Sequence, residues 1–251
     1  MAKIISLHSF RRGTGKSNLV ANMAALLAAE GQRVGAVDTD LQSPSLHILF
    51  GLGEGDIGHS LNDYLRGKCD IEEAAYTMTP RLSAAVKGQI FLIPSNADTN
   101  EIARALREGY NVSLLNEGLH QLGQALNLDV LLVDTHAGLS EETLLSIAVS
   151  DALGIVMRPD QQDYQGTAIT VEVARRLGVP RLVLIVNQSP SFFDLGQVKA
   201  QVERAYQCEV IAVLPHCDEM MALASADIFA LRYPDHPMTA SLKAVADRLA
   251  A

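Results

Sequence analysis

Phe10-Arg11-Arg12-Gly13-Thr14-Gly15-Lys16-Ser17 is the stretch whose reading decides the fold. An apolar, β-rich run, Ile4–His8, precedes it, and a helical pattern, Ser17–Ala29, follows. Glycines at 13 and 15 let backbone N–H groups approach an anion closely. A helix that starts after Gly15 adds its unpaired amides and the positive end of its dipole. In this pattern Lys16 is a point charge for terminal phosphates and the Ser17 hydroxyl a magnesium ligand. Arg12, Gly13, Thr14, Gly15, Lys16, Ser17 and Asn18 are therefore the expected phosphate-contacting residues. The strict eight-residue pattern asks for glycine at position 10, where Phe10 stands.

Outward from this turn, strand-like and helix-like segments alternate along the chain. The strand-like runs are Ile4–His8, Arg33–Val37, Gln89–Ile93, Asp129–Val133, Leu153–Met157, Leu182–Val186 and Val210–Leu214. Their near-continuous Val, Ile and Leu content suits strands covered on both faces. Ser17–Ala29, Glu101–Arg107, Ser113–Leu126, Glu142–Val149 and Thr167–Leu177 carry helical apolar spacing. The expected class is α/β, a three-layer P-loop NTPase fold: a mostly parallel, twisted sheet of about seven strands with helices on both faces. Right-handed crossovers then bring the strands' carboxyl ends to one edge, where ligands bind. No linker or repeat divides the chain, so residues 1–251 are expected to form one domain; Gly51–Gly58 is its most loop-like stretch.

Two further segments bring carboxylates to that edge. Val37-Asp38-Thr39-Asp40 ends the second strand, and side chains two apart face the same side while the strand lasts. Asp129–Gly138, DVLLVDTHAG, is an apolar run ending in Asp134, in the manner of an acid that supports Mg²⁺ through its water shell. Gly138 gives the following loop freedom to respond to a terminal phosphate. His136 is expected to be a neutral packing or dimer-contact residue.

Composition bounds the rest. With 251 residues, 48 % of them hydrophobic, the chain can bury a sizeable core. A net charge of -9 argues against a protein that coats nucleic acid with its whole surface. Arg175, Arg176, Arg181, Lys199 and Arg204 would contribute to a weak, non-specific DNA patch, but solvated helix faces are the favoured reading. Cys69, Cys208 and Cys217 have no metal-site spacing and are expected to be buried free thiols, in keeping with a cytoplasmic location. No signal peptide or membrane-length apolar run is read. Thr239–Ala251 has only Lys243 and Arg248 as basic residues and no large aromatic, so it is expected to pack as the last helix rather than anchor to a membrane.

The ordered set RRGTGKSN (11–18), VDTDLQSPSLHILFGL (37–52), LIPS (92–95), DVLLVDTHAG (129–138), IVNQSP (185–190) and VLPHCDEMMALAS (213–225) resembles the MinD/ParA family of P-loop ATPases with a deviant Walker A motif. The MinD-like branch is the nearer one, because Asp40 is followed by Leu-Gln-Ser-Pro. The resemblance implies ATP and Mg²⁺ as ligands. It implies that Lys16 binds phosphate, that Ser17, Asp38 and Asp134 serve the metal, and that Asp40 positions the hydrolytic water. Asn187 would hydrogen-bond adenine and Pro215 with its following loop would close over the base; strand-end cap and turn former are equally good readings of these two residues.

The family dimerises around two ATP molecules, with a signature lysine reaching the partner's phosphates. Here Arg11 holds that position and Arg12 the next, where the family keeps glycine. Either Arg11 replaces the lysine as a catalytic cation in trans, which is the favoured reading, or the cross-contact is absent and turnover is slow. The implied function is an ATP-driven switch that dimerises, recruits a partner that stimulates hydrolysis, and serves intracellular positioning or partitioning. The alternative is a non-cycling nucleotide-binding adaptor.

Overall fold

The computed structural model describes residues 1–96, 98–99 and 112–251. Its strands are β1 (Lys3–His8), β2 (Arg33–Asp38), β3 (Tyr76–Thr77), β4 (Gln89–Ile93), β5 (Val130–Asp134), β6 (Ala152–Met157), β7 (Arg181–Ser189) and β8 (Glu209–Pro215). They form one sheet in the order β3-β4-β2-β5-β1-β6-β7-β8. Every pairing is parallel except that of β3 with β4. All seven strand-like runs are present, and β3 is the eighth strand. Its two residues are too few to leave a periodic signal.

The helices are α1 (Lys16–Ala29), α2 (Leu46–Leu49), α3 (Leu61–Leu65), α4 (Val112–Ala125), α5 (Glu141–Ala148), α6 (Gln161–Arg176), α7 (Leu195–Tyr206), α8 (Asp218–Leu223), α9 (Phe229–Arg232) and α10 (Pro237–Ala250). The helix expected over Glu101–Arg107 lies outside the described residues. Helix α6 begins six residues before the apolar pattern that announced it. Its first turns, Gln161–Gly166, are mostly polar, and the start is fixed by the Asp160 side chain, which accepts from the amides of Gln162 and Asp163.

Strand alternation sorts the core into layers. Ile5 and Leu7 of β1 face α1 and α10, whereas Ile4 faces the cluster built on α3 and α4. A third cluster joins β6 and β7 to α6 and α7. Helix α1 is apolar nearly all round because it is covered twice, by the sheet and by α10. Helix α10 buries Met238, Leu242, Val245, Ala246 and Leu249, a packing face. Among the described residues no helix is long and apolar enough to cross a membrane. The three cysteines are free, as expected, but half-buried rather than buried, because each lies at the margin of a cluster.

Candidate functional site

Strands β1, β2 and β5 are adjacent, and their carboxyl ends carry the three motifs to one place. Asp38 and Asp134 are register partners on β2 and β5. The β1–α1 turn lies beside them. Gly13 and Gly15 take φ of +79° and +90°, the left-handed region where a side chain would be strained. A Cβ on Gly15 would also lie 2.6 Å from Asn187 Nδ2.

Lys16 is 8 % exposed, and its ammonium donates to Ser9 Oγ at 2.8 Å. Burial lowers its pKa, opposed by Asp134, Asp40 and Asp38, while Arg12 pushes it further down. Ser45 Oγ donates to Ser17 Oγ at 3.2 Å. Asp134 is buried, and its Oδ1 has no hydrogen-bond partner among the described residues. Burial raises its pKa, resisted first by Lys16 and then by a hydrogen bond from Ser17. Asp38 is fully buried; its Oδ1 accepts from the Asp40 amide, and its Oδ2 from those of Ser45 and Leu46, each at 3.0 Å. Burial and the nearby Asp134 charge raise its pKa, and the three amides act the other way. Asp38 thus organises the loop after β2 while standing beside the metal-type acid.

Strand β2 ends at Asp38, so Asp40 reaches the site from the loop and not from a strand face. Burial would raise its pKa, but the hydrogen bond and charge of His136, the Ser43 amide and Arg12 outweigh that and hold it below the usual carboxylate range. His136 Nδ1 lies 2.8 Å from Asp40 Oδ1. A carboxylate only accepts, so Nδ1 carries the hydrogen. His136 therefore joins the loop after β5 to the loop after β2. The sequence reading missed this role, since residues 96 apart are linked only by the fold. Gly138 closes the same junction, its amide donating to the Ser9 carbonyl at 3.0 Å with φ of +87°.

Below this junction His8 is fully buried, with Nδ1 2.8 Å from Thr135 Oγ1. Thr135 donates to the Leu7 carbonyl, so His8 donates and its Nε2 is left bare, without a partner. Burial first, then the Lys16 charge, push its pKa down to about 3.

The two arginines of the turn point to different places. Arg11 Nη1 lies 3.3 Å from Asp160 Oδ1 and 3.4 Å from Asp163 Oδ1, both at the start of α6. Arg12 lines the phosphate-sized cavity with Gly13, Lys16, Ser17, Asp40 and Ser45; its volume is about 270 Å³. Arg12 Nη2 is 3.3 Å from His136 Nδ1 and 4.0 Å from Asp40 Oδ1.

A second cavity, of about 220 Å³, opens on the other side of Gly15 and Asn18. Leu19, Leu214, Pro215, Met220, Met238 and Leu242 give it apolar walls suited to a flat ring. Asn187 borders it, but its Nδ2 donates to the Thr14 carbonyl at 2.8 Å, and Gln188 Nε2 donates to that of Gly13 at 3.1 Å. The end of β7 thus braces the phosphate turn. Near this pocket Cys217, Glu219 and His236 converge. His236 Nδ1 accepts from the Met238 amide, so Nε2 bears the hydrogen and is no ready metal ligand. Of the basic residues noted for nucleic acid, Arg175 donates to the carbonyls of Tyr206 and Gln207, and Arg176 and Lys199 pair with Glu172 and Glu203.

A left-handed glycine turn, a buried lysine, a serine hydroxyl, an unpartnered buried carboxylate oxygen and an adjoining apolar slot define a P-loop nucleotide site. The family model described as an AAA domain matches residues 2–177. An uncharacterized ATP-binding protein of Methanocaldococcus jannaschii is 30 % identical over 251 residues, covering 99 % of this chain and 88 % of that protein. The chain belongs to the MinD/ParA family of P-loop ATPases. Its fold matches that of the septum site-determining protein MinD of Pyrococcus horikoshii complexed with Mg-ADP, with a TM-score of 0.79, 22 % identity, and 99 % and 96 % of the two chains covered. The MinC:MinD cell division protein complex of Aquifex aeolicus matches with a TM-score of 0.78, 19 % identity, and 99 % and 95 % covered.

Proposed function

We propose that the chain binds ATP with Mg²⁺ and hydrolyses it slowly, as a switch that dimerises on ATP and recruits a protein partner for intracellular positioning or partitioning. One observation carries the reading: Asp40, which lines the phosphate cavity, is hydrogen-bonded by His136 of the loop after β5. A ligand that displaced Asp40 would be felt in both loops, which is the requirement for a switch. Lys16 and the amides of residues 13–17 would hold the phosphates. Ser17 and Asp134 would serve the metal, with Asp38 fixing the loop beside them. Asp40 would orient the attacking water, and Pro215, Leu214 and Asn187 would border the base. Bound Mg²⁺ would neutralise charge on the transferring phosphate. Its fit is supported by the unpartnered Asp134 oxygen. The MinC:MinD complex of A. aeolicus supports a partner-directed role.

The test is size-exclusion chromatography with ATP and Mg²⁺. Wild type is expected to shift from monomer to dimer, and Asp40→Ala to remain dimeric because hydrolysis no longer resets it. If neither protein changes size, the switch fails. The second reading, a nucleotide-binding adaptor with little hydrolysis, is favoured by Arg11 lying on carboxylates of its own chain. Turnover that stays at background in the presence of co-purifying partners would select it.

A further inference from the structure

We propose that Arg12, and not Arg11, supplies the cation that meets the terminal phosphate, and that it acts within its own protomer. The proposal rests on the reading of the site as one for ATP and Mg²⁺. It reverses the assignment that the position of Arg11 suggests.

Arg11 is held away from the cavity by two carboxylates at the start of α6. Its guanidinium pairs with Asp160 and Asp163. Asp163 is 2 % exposed; its Oδ2 accepts from the Arg158 backbone amide at 2.8 Å, and among the described residues the other cation beside it is the Arg158 guanidinium, with Nε at 3.5 Å. Withdrawing Arg11 would take one of two cations from a buried carboxylate, which is costly. The residue before it is anchored too. The Phe10 ring lies so close over α6 that a Cβ on Gly166 would come within 2.1 Å of Phe10 Cδ1. Phe10 thus spends the missing loop glycine on a packing contact that aims Arg11 at the helix.

Arg12 is placed oppositely. Its side chain is 55 % exposed and lines the phosphate cavity with Lys16, Ser17 and Asp40. Because His136 Nδ1 bears a hydrogen directed at Asp40, it cannot also accept from Arg12. What remains to Arg12 among the described residues is a long ion pair of 4.0 Å with Asp40. At 4.0 Å, with the Arg12 side chain largely in solvent, the pair contributes little, so exchanging it for a phosphate oxygen costs little. A guanidinium also offers a planar fork suited to phosphate oxygens. Asp40 thereby keeps a loosely held cation beside the phosphate cavity, while His136 fixes the position of Asp40.

The experiment uses the full chain with ADP, Mg²⁺ and aluminium fluoride, which mimics the transferring phosphoryl group, and reads retained nucleotide beside single-turnover hydrolysis. Arg12→Ala is expected to reduce fluoride-dependent retention by about 100-fold, as for loss of one preorganised donor. Its affinity for ADP alone should stay within about twofold, since the terminal phosphate is absent there. Arg176→Ala, a surface pair with Glu172, is the control expected to match wild type. Mixing Arg12→Ala with Lys16→Ala protein distinguishes cis from trans action, because an arginine acting across a dimer would rebuild one complete site. No rescue is expected. Rescue, or retention by Arg12→Ala equal to wild type, overturns the proposal. Wild type that binds ADP but shows no fluoride-dependent retention also overturns it while leaving nucleotide binding intact. Failure to bind ADP or ATP at all would sink the underlying reading of the site.

Discussion

The two halves of the nucleotide site are built by different rules. At the phosphate end, the groups come from three short runs, His8–Ser17, Asp38–Asp40 and Asp134–Gly138, all at the carboxyl ends of adjacent strands. The charged and polar side chains there range from the buried His8, Lys16, Asp38 and Asp134 to the exposed Arg12. At the base end, the apolar walls come from α1, β8, α8 and α10 as aliphatic side chains and methionines, with Asn187 and Gln188 of β7 at the border. Charge stabilisation demands particular atoms at particular distances, so the chain repeats a recognisable pattern. An apolar wall demands only volume and shape, which many side chains supply from many places. The affinity should accordingly be concentrated at the phosphate end.

Lys16→Ala is the strongest test of that concentration. Removing one partner of a buried charge pair costs roughly 2–5 kcal/mol, so ATP affinity measured by calorimetry in the presence of Mg²⁺ should fall by about 30-fold or more. A loss below about tenfold would move the weight of binding to the base slot and break the comparison.

Acid sensitivity should also reside at the phosphate end. His8 has a folded pKa of about 3 against an ordinary 6.5. Between these values the unfolded chain binds more protons, so stability is full above the ordinary value and is lost as pH falls below it. From pH 6.5 to about 5 this residue alone should remove about 2 kcal/mol. The raised Asp38 and Asp134 act in the opposite sense, becoming more favourable as pH falls through their folded values. Denaturant unfolding of wild type against His8→Asn across that window isolates the histidine: the variant's stability should decline less. Parallel curves would mean that His8 finds a proton acceptor as it charges.

What was legible in the sequence follows the same division. Seven strands, the glycine turn and the acids Asp38, Asp40 and Asp134 were readable, because strand ends and phosphate loops impose local spacing. The edge strand β3 was too short to show. The early start of α6 was hidden because Gln161–Gly166 is mostly polar, and the residues that explain its position, Asp160 and Asp163, are partners of Arg11 in space alone. His136 read as packing because nothing local links it to Asp40. Arg11 and Arg12 were adjacent letters of one motif; only folding sends one to α6 and the other to the cavity. The apolar slot was largely invisible: a scattered set of Leu and Met residues has no period.

Asn187 is where the two halves meet, and it gives the finest test. Read as a base-contacting residue, it belongs to the apolar slot. In the structure its Nδ2 holds the Thr14 carbonyl and abuts Gly15, so it also braces the phosphate turn. The two roles separate by ligand. Loss of a base contact would weaken ATP and leave inorganic triphosphate unaffected. Loss of the brace would weaken both, because the turn's amides would no longer be held ready. A single net hydrogen bond of about 0.5–1.5 kcal/mol corresponds to a two- to tenfold effect. Asn187→Ala is expected to weaken inorganic triphosphate and ATP by similar factors within that range, measured by competition against a fluorescent nucleotide. An ATP-only loss would return Asn187 to the base end and leave the phosphate turn self-supporting.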